Sequence, residues 1–171
     1  MRQEVVAGAG QLMPGAANAL AARVIEAAGY RMMMVSGAAV ANTYLGVPDI
    51  GLVSVTELAS HVAAVRDASP LPLLADADTG FGNASNARRT VKRLERAGAN
   101  AIMLEDQTYP KRCGHFEGKD VIPKDEMVSK LKAAVDARVD PDLMILARTD
   151  ARAVEGFEAA LDRARAYQEA G

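Results

Sequence analysis

The chain has 171 residues, half of them hydrophobic, one cysteine and a formal net charge of -2. That length can bury one sizeable core, so a single domain over residues 1–171 is expected, and the small mixed charge argues against a nucleic-acid surface. No apolar run reaches the about 18 residues of a membrane span and no basic-then-apolar leader opens the chain, so a cytoplasmic protein without a membrane partner is expected.

Strand-like and helix-like segments alternate along the chain. A weak strand candidate lies near Gln11 to Met13, followed by a helix from about Ala16 to Ala28 that stops at Gly29. Met32 to Val35 reads as a buried strand. Ser54, with Glu57 three residues on, forms a capping box that opens a helix with Leu58, Val62 and Val65 on one face. The run Leu71 to Ala75 is the next strand, and Ala87, Val91 and Leu94 mark a helix ending at Gly98. Ala101 to Leu104 is followed by the stripe Met127, Leu131, Ala134 and Val135, with Pro123 near its first turn. Leu143 to Ala147 is the last strand, and Phe157, Leu161, Ala164 and Tyr167 form the last helical stripe.

This alternation is the pattern of a parallel sheet covered by helices, an α/β fold. Each strand is apolar until its C-terminal end and then turns polar, at Ser36-Gly37, Asp76-Ala77-Asp78, Glu105-Asp106-Gln107 and Arg148-Thr149-Asp150. Functional groups at the C-terminal ends of several strands characterise the (β/α)8 TIM barrel. A doubly wound nucleotide fold would need a glycine-rich phosphate turn after its first strand, and none appears. A complete barrel has eight units and about 250 residues. This chain carries about five, so it reads as the N-terminal portion of a TIM barrel lacking the last strands and C-terminal helices.

The strand ends hold the candidate site. If the extended geometry persists, Asp76 and Asp78 point to the same side, where two carboxylates share a proton or hold a hard cation. With Glu105 arriving from the neighbouring strand, an oxygen-rich Mg²⁺ site follows; the competing reading has Asp78 and Asn83 capping the next helix. Asp49, in Gly46-Val47-Pro48-Asp49, is a candidate for the outer shell of the metal or an ordinary turn aspartate. Arg148 either binds a substrate carboxylate through its fork or pairs with Asp150 or Glu105. Ser36 and Gly37 can offer backbone N–H groups to a second carboxylate. Cys113 lies in Lys111-Arg112-Cys113-Gly114-His115 with no apolar neighbour within two positions; the thiolate is the reactive form of cysteine, and neighbouring positive charge favours it. His115 is expected near the site with it, His61 on a solvent-facing helix surface, and Met32-Met33-Met34 in the core. With His61, His115 and Cys113 as the only soft ligands, a structural zinc site is excluded.

Together these segments resemble the isocitrate lyase and phosphoenolpyruvate mutase superfamily. The resemblance runs in order through Pro14-Gly15-Ala16, Val35-Ser36-Gly37-Ala38, Leu45-Gly46-Val47-Pro48-Asp49, Asp76-Ala77-Asp78-Thr79-Gly80-Phe81-Gly82, Glu105-Asp106-Gln107, Lys111-Arg112-Cys113-Gly114-His115 and Ala147-Arg148-Thr149-Asp150. It implies that Asp76 and Asp78 bind Mg²⁺ (or Mn²⁺), that Glu105 and Asp49 support its waters, and that Ser36, Gly37 and Ala38 hold a substrate carboxylate. It implies that Arg148 binds a substrate oxygen, and that the run from Lys111 to His115, Gly114 included, is a mobile catalytic loop with Cys113 as general acid. A homotetramer is implied for full-length proteins of this kind.

The implied reaction is cleavage of a 2-hydroxy di- or tricarboxylate, of the 2-methylisocitrate or 2-alkylmalate type, to a 2-oxo acid such as pyruvate. The metal acts as a Lewis acid at the C2 oxygen, Cys113 quenches the departing carbanion, and Lys111, Arg112 and His115 orient carboxylates and tune the thiol. Three positions depart from the methylisocitrate lyase pattern: Met34 stands where an aromatic residue is common, Ala38 where glycine is, and Phe116 where arginine is. Phe116-Glu117-Gly118-Lys119 looks more like lyases acting on 2-alkylmalates or dimethylmalate, or like carboxyphosphonoenolpyruvate phosphonomutases. A phosphonomutase has no carbanion to quench, so Cys113 favours the lyase over the phosphonomutase; an inactive fragment is the remaining alternative.

Overall fold

Four short apolar runs form the framework of the computed structural model, which describes residue 1, residues 10–114 and residues 116–171. Strands β1 (Met33–Val35), β2 (Leu73–Asp76), β3 (Ala101–Glu105) and β4 (Met144–Arg148) lie side by side in chain order. All three pairings are parallel, with Met33 opposite Leu73, Leu74 opposite Ala101, and Ala101 opposite Met144. Consecutive parallel neighbours need a crossover each time, and helices supply it. The arrangement is an arc of a (β/α) barrel, as the alternation predicts.

The weak strand near Gln11 to Met13 is displaced and much reduced. Only Gly15 makes a bridge, to Met34, with Met34 N–H donating to Pro14 O and Ala16 N–H to Met34 O. Pro14 has no N–H to donate and cannot extend a ladder on both sides. The four full strands are each within two residues of their predicted bounds.

The helices are α1 (Ala19–Ala27), α2 (Gly37–Val40) running into a π-helical turn at Ala41–Leu45, α3 (Val55–Ala68), α4 (Ala84–Arg96), α5 (Lys124–Val135), α6 (Ala151–Val154) and α7 (Phe157–Glu169); α1, α3, α4, α5 and α7 follow the predicted order, whereas the short α2 and α6 are additional. The capping box on α3 forms as read: Ser54 Oγ accepts from Glu57 N–H, and Glu57 Oε2 accepts from Ser54 N–H at 2.8 Å. Leu58, Val62 and Val65 are buried beneath it. On α4, Ala87, Val91 and Leu94 face inward, and Gly98 adopts φ +95° after its end, a left-handed position that glycine takes without a Cβ penalty.

The stripe on α7 differs from the reading. Phe157 is 59% exposed and Ala164 is exposed, while Arg163 and Tyr167 are buried. The helix is turned so that these two polar side chains reach a buried aspartate, Asp106, and that attraction sets its rotation rather than hydrophobicity alone. His61 differs as well: it is partly buried, its Nδ1 lies 3.0 Å from Glu57 O and its ring packs edge-on against Tyr44.

The core lies between sheet and helices. Leu73, Ala75, Ile102 and Leu104 meet Leu58, Val62, Val91, Leu94, Met127 and Leu131 there. Among the described residues, no helix is long and apolar enough to cross a membrane.

Candidate active site

Every strand delivers its last residue to the same end of the sheet. Ser36 follows β1, Asp76 ends β2, Glu105 ends β3 and Arg148 ends β4. Glu105 and Arg148 are register partners, and Arg148 Nη1 lies 3.3 Å from Glu105 Oε2. Above them opens a cavity of about 380 Å³ lined by Met34, Ser36, Ala38, Asp49, Asp76, Glu105, Lys111, Arg112, Cys113, Gly114 and Arg148. Met34 therefore faces the cavity, while Met32 and Met33 are core.

The acid pair is not an extended dipeptide. Asp78 turns into the left-handed region at φ +47°, which a short polar side chain tolerates better than most. Its N–H donates to Asp76 Oδ1 at 3.2 Å, and its carbonyl accepts from Glu105 N–H at 2.8 Å. Asp78 does not cap the next helix; Asn83 does so alone, accepting from Ser85 and Asn86. Gly37 N–H, expected to face a substrate, instead donates to Asp76 Oδ2 at 3.2 Å, and Gly37 is absent from the cavity lining. Glycine is required there because a Cβ would stand 2.9 Å from Asp78 Oδ1.

A buried lysine ties the acids to the loop. Lys111 Nζ lies 2.6 Å from Asp49 Oδ1 and 2.6 Å from Asp78 Oδ1, so Asp49 is more than an ordinary turn residue. Burial pushes Asp78 up to about 6, with the Asp76 charge adding and Lys111 opposing. Glu105 rises to about 8, again chiefly by burial, against the pull of Arg148 and Lys111. For Lys111, burial alone would lower the pKa, but the neighbouring Asp78 charge and the bonds to Asp49 and Asp78 raise it. Arg148 does make both of the ion pairs that competed with a substrate role, the second to Asp150 Oδ1 at 3.1 Å, and still lines the cavity.

Cys113 is partly buried at the cavity rim, on an excursion between β3 and α5. That excursion is closed at its neck: Gln107 bridges Val121 in antiparallel fashion, Thr108 N–H donates to Asp120 O, and Ile122 N–H donates to Asp106 O. Inside it, Lys119 Nζ donates to Gly114 O and Phe116 O at 2.8 and 2.6 Å. Gly114 sits directly on Arg148, where an added Cβ would strike Nη2. His115 lies outside the described residues. Beside Cys113 a second hollow of about 460 Å³ is lined by Ala38, Asn42, Gly46, Val47, Pro48, Asp49 and Phe116.

Two groups escape a reading by local pattern. Asp106, fully buried, accepts from Thr149 Oγ1, Asp150 N–H, Tyr167 Oη and Arg163 Nη1. The Gln107 side chain, 1% exposed, bonds both the N–H and the carbonyl of Arg112. The signal for both was their place in the acid-tipped end of β3.

The family described as phosphoenolpyruvate phosphomutase matches residues 6–171. The chain belongs to this family. It is 50% identical to 2,3-dimethylmalate lyase of Eubacterium barkeri over 158 residues, 92% of this chain and 55% of that protein. Against 2-methylisocitrate lyase of Salmonella typhimurium it is 51% identical over 158 residues, 92% of this chain and 54% of the relative. The chain thus spans about half the length of these curated relatives. A crystal structure of 2,3-dimethylmalate lyase, a PEP mutase/isocitrate lyase superfamily member, superposes with TM-score 0.94 at 34% identity, covering 99% of this chain and 58% of that one. A phosphonopyruvate hydrolase complex with oxalate and Mg²⁺ superposes with TM-score 0.90 at 34% identity, covering 99% and 58%. The predicted superfamily and the partial TIM-barrel fold are therefore correct.

Proposed function

We propose that the whole protein is a carbon–carbon lyase that cleaves a 2-hydroxy dicarboxylate of the 2-alkylmalate type to a 2-oxo acid and a carboxylate. One observation carries this reading: the Cys113 thiol lines the same cavity as the carboxylates of Asp49, Asp76 and Glu105 and the Arg148 guanidinium. Such a cavity holds an anionic substrate by cations and hard-metal contacts, and the thiol is placed to deliver a proton from its open side. The named lyases among the relatives support the same class.

The acids suit a hard divalent cation. Glu105 Oε1 is buried without a hydrogen-bond partner, and the donor set of Asp76, Asp78 and Glu105 is oxygen-only. Mg²⁺ keeps several waters and takes one or two carboxylates, so an oxygen-only set of this kind suits its chemistry. Asp76 and Asp78 would hold Mg²⁺ or Mn²⁺, with Glu105 and Asp49 behind, and the ion would act as a Lewis acid toward the substrate's C2 oxygen. Arg148 would fork a substrate carboxylate, Ser36 and Ala38 would line its far side, and Lys111 would fix Asp49 and Asp78 in place. Cys113 would transfer its proton to the carbon released by C2–C3 cleavage, with Gly114 leaving room for the loop to seat.

The hollow beside Cys113 favours an alkyl substituent over a third carboxylate. Ala38, Val47, Pro48 and Phe116 wall much of it, no cation lines it among the described residues, and the Asp49 carboxylate in its lining disfavours a further anion. A panel of dimethylmalate, other 2-alkylmalates and 2-methylisocitrate, coupled to 2-oxo acid detection, tests the proposal. Cleavage of the alkylmalates is expected, abolished by EDTA and restored by Mg²⁺. Cys113→Ala is expected to lose about 10²- to 10⁴-fold in kcat, the usual worth of a general acid. Undiminished turnover in that variant, EDTA-insensitive cleavage, or rearrangement of a phosphonate instead would each overturn the corresponding part. The family resemblance extends the proposal to a cytoplasmic homotetramer, which sedimentation of the whole protein checks.

A further inference from the structure

We propose that Gln107 and Asp150 are positioning residues that join the Cys113 loop to Arg148 as one unit. Gln107 Oε1 accepts from Arg112 N–H at 2.9 Å, and Nε2 donates to Arg112 O at 2.9 Å. A side-chain amide thus stands where a neighbouring strand would, pairing both backbone groups of the residue before the thiol. The second Nε2 proton goes to Asp150 Oδ2 at 2.7 Å. Asp150 in turn holds Arg148 Nη2 at 3.1 Å through each oxygen, and its own N–H is fixed by Asp106 at 3.0 Å.

The direction of these bonds admits only one amide. Gln107 faces one donor and two acceptors, and its single oxygen and two N–H groups match them. A glutamate of the same size would set a carboxylate against the Arg112 carbonyl and the Asp150 carboxylate. The main chain of Gln107 also closes the loop's neck through its bridge to Val121, so one residue fixes the loop at its exit and just before the thiol. Gly114 seated on the Arg148 guanidinium is the third contact of the unit. A shift of Arg148 is therefore transmitted to Cys113 through two hydrogen-bonded side chains.

The proposal rests on Cys113 being the working group of the cavity, and its test reads the thiol without turnover. Cys113 is the single cysteine, so iodoacetamide alkylation of the native protein reports on it alone. Gln107→Glu is expected to speed alkylation about thirtyfold, the factor that the loss of two ordinary hydrogen bonds represents. Tryptic nicking after Arg112 should rise in parallel, with the thermal midpoint within about 4 °C of the parent. Gln107→Glu combined with Asp150→Asn restores the side-chain bond in the reverse sense and is expected to recover at least half of the change on a logarithmic scale. Should Gln107→Glu fail to fold, Gln107→Asn, whose shorter amide cannot reach Arg112, is read in its place. Alkylation within about twofold of the parent in the single variant, or no recovery in the double variant, would overturn the proposal. A protein that cleaves no malate sinks the lyase reading and leaves this outcome unaffected.

Discussion

Gly114 meets Arg148 so closely that the two residues cannot be varied independently. The guanidinium is pinned by Glu105 at 3.3 Å and Asp150 at 3.1 Å, so it cannot swing aside cheaply for a new methyl group. Gly114→Ala is expected to lift the loop off the cavity and lower turnover at least about tenfold while the thermal midpoint falls by no more than about 2–4 °C. A calorimetric scan beside a lyase assay separates the two effects. Much at this scale was legible beforehand: a polar residue at the end of a buried parallel strand has no place in the core, so Asp76, Glu105 and Arg148 announced themselves. Asp78 was picked out with them, but its geometry was not legible, because its left-handed turn breaks the alternation from which same-side placement follows. Gly37 was read for its N–H and matters for its missing Cβ.

Among the elements, α7 shows what hydrophobic periodicity misses. Its inward residues are Arg163 and Tyr167, and the partner that draws them in, Asp106, comes from the end of β3. A helix read from its own residues carries no trace of a distant buried carboxylate, whereas α3 and α4, packed by aliphatic stripes, were read correctly. The network has a pH consequence. Burial, opposed by Arg163 and aided by Asp106, raises the Tyr167 phenol above its usual value. The phenol keeps its proton in the fold while the unfolded chain releases it near pH 10. Its contribution is therefore complete below about pH 10 and is lost as pH rises toward the folded value. Urea denaturation of the parent and Tyr167→Phe between pH 8 and 11 should show the parent losing stability faster; equal slopes would remove Tyr167 from the network. At neutral pH the variant should lose about 1 kcal/mol, the usual net worth of one hydrogen bond.

Across the whole molecule the sheet is lopsided. β2 is buried along its length, whereas β4 is only partly covered, Ala147 is exposed, and no described strand pairs with its outer edge. An exposed strand edge is a template for another chain. These 171 residues, expressed alone, are expected to associate in a concentration-dependent way by size exclusion with light scattering, and Ala147→Lys, which sets a charge on that edge, should weaken it. A monomer at all concentrations would show that the edge is protected by other means. Four of the five strands were legible here; the first, reduced to a single bridge at Gly15, was not, because apolar content alone does not say how many ladder bonds a proline-containing segment can make.

The closed neck beneath the cysteine loop has one more consequence. Because Gln107 and Val121 are already paired where the excursion leaves and rejoins the barrel, its interior can be rewritten without disturbing β3 or α5. Exchanges at Phe116, which lies beyond the thiol and Gly114 and walls the hollow beside Cys113, are therefore expected to change the substrate preference of the whole protein in a lyase assay while the thermal midpoint stays where it is.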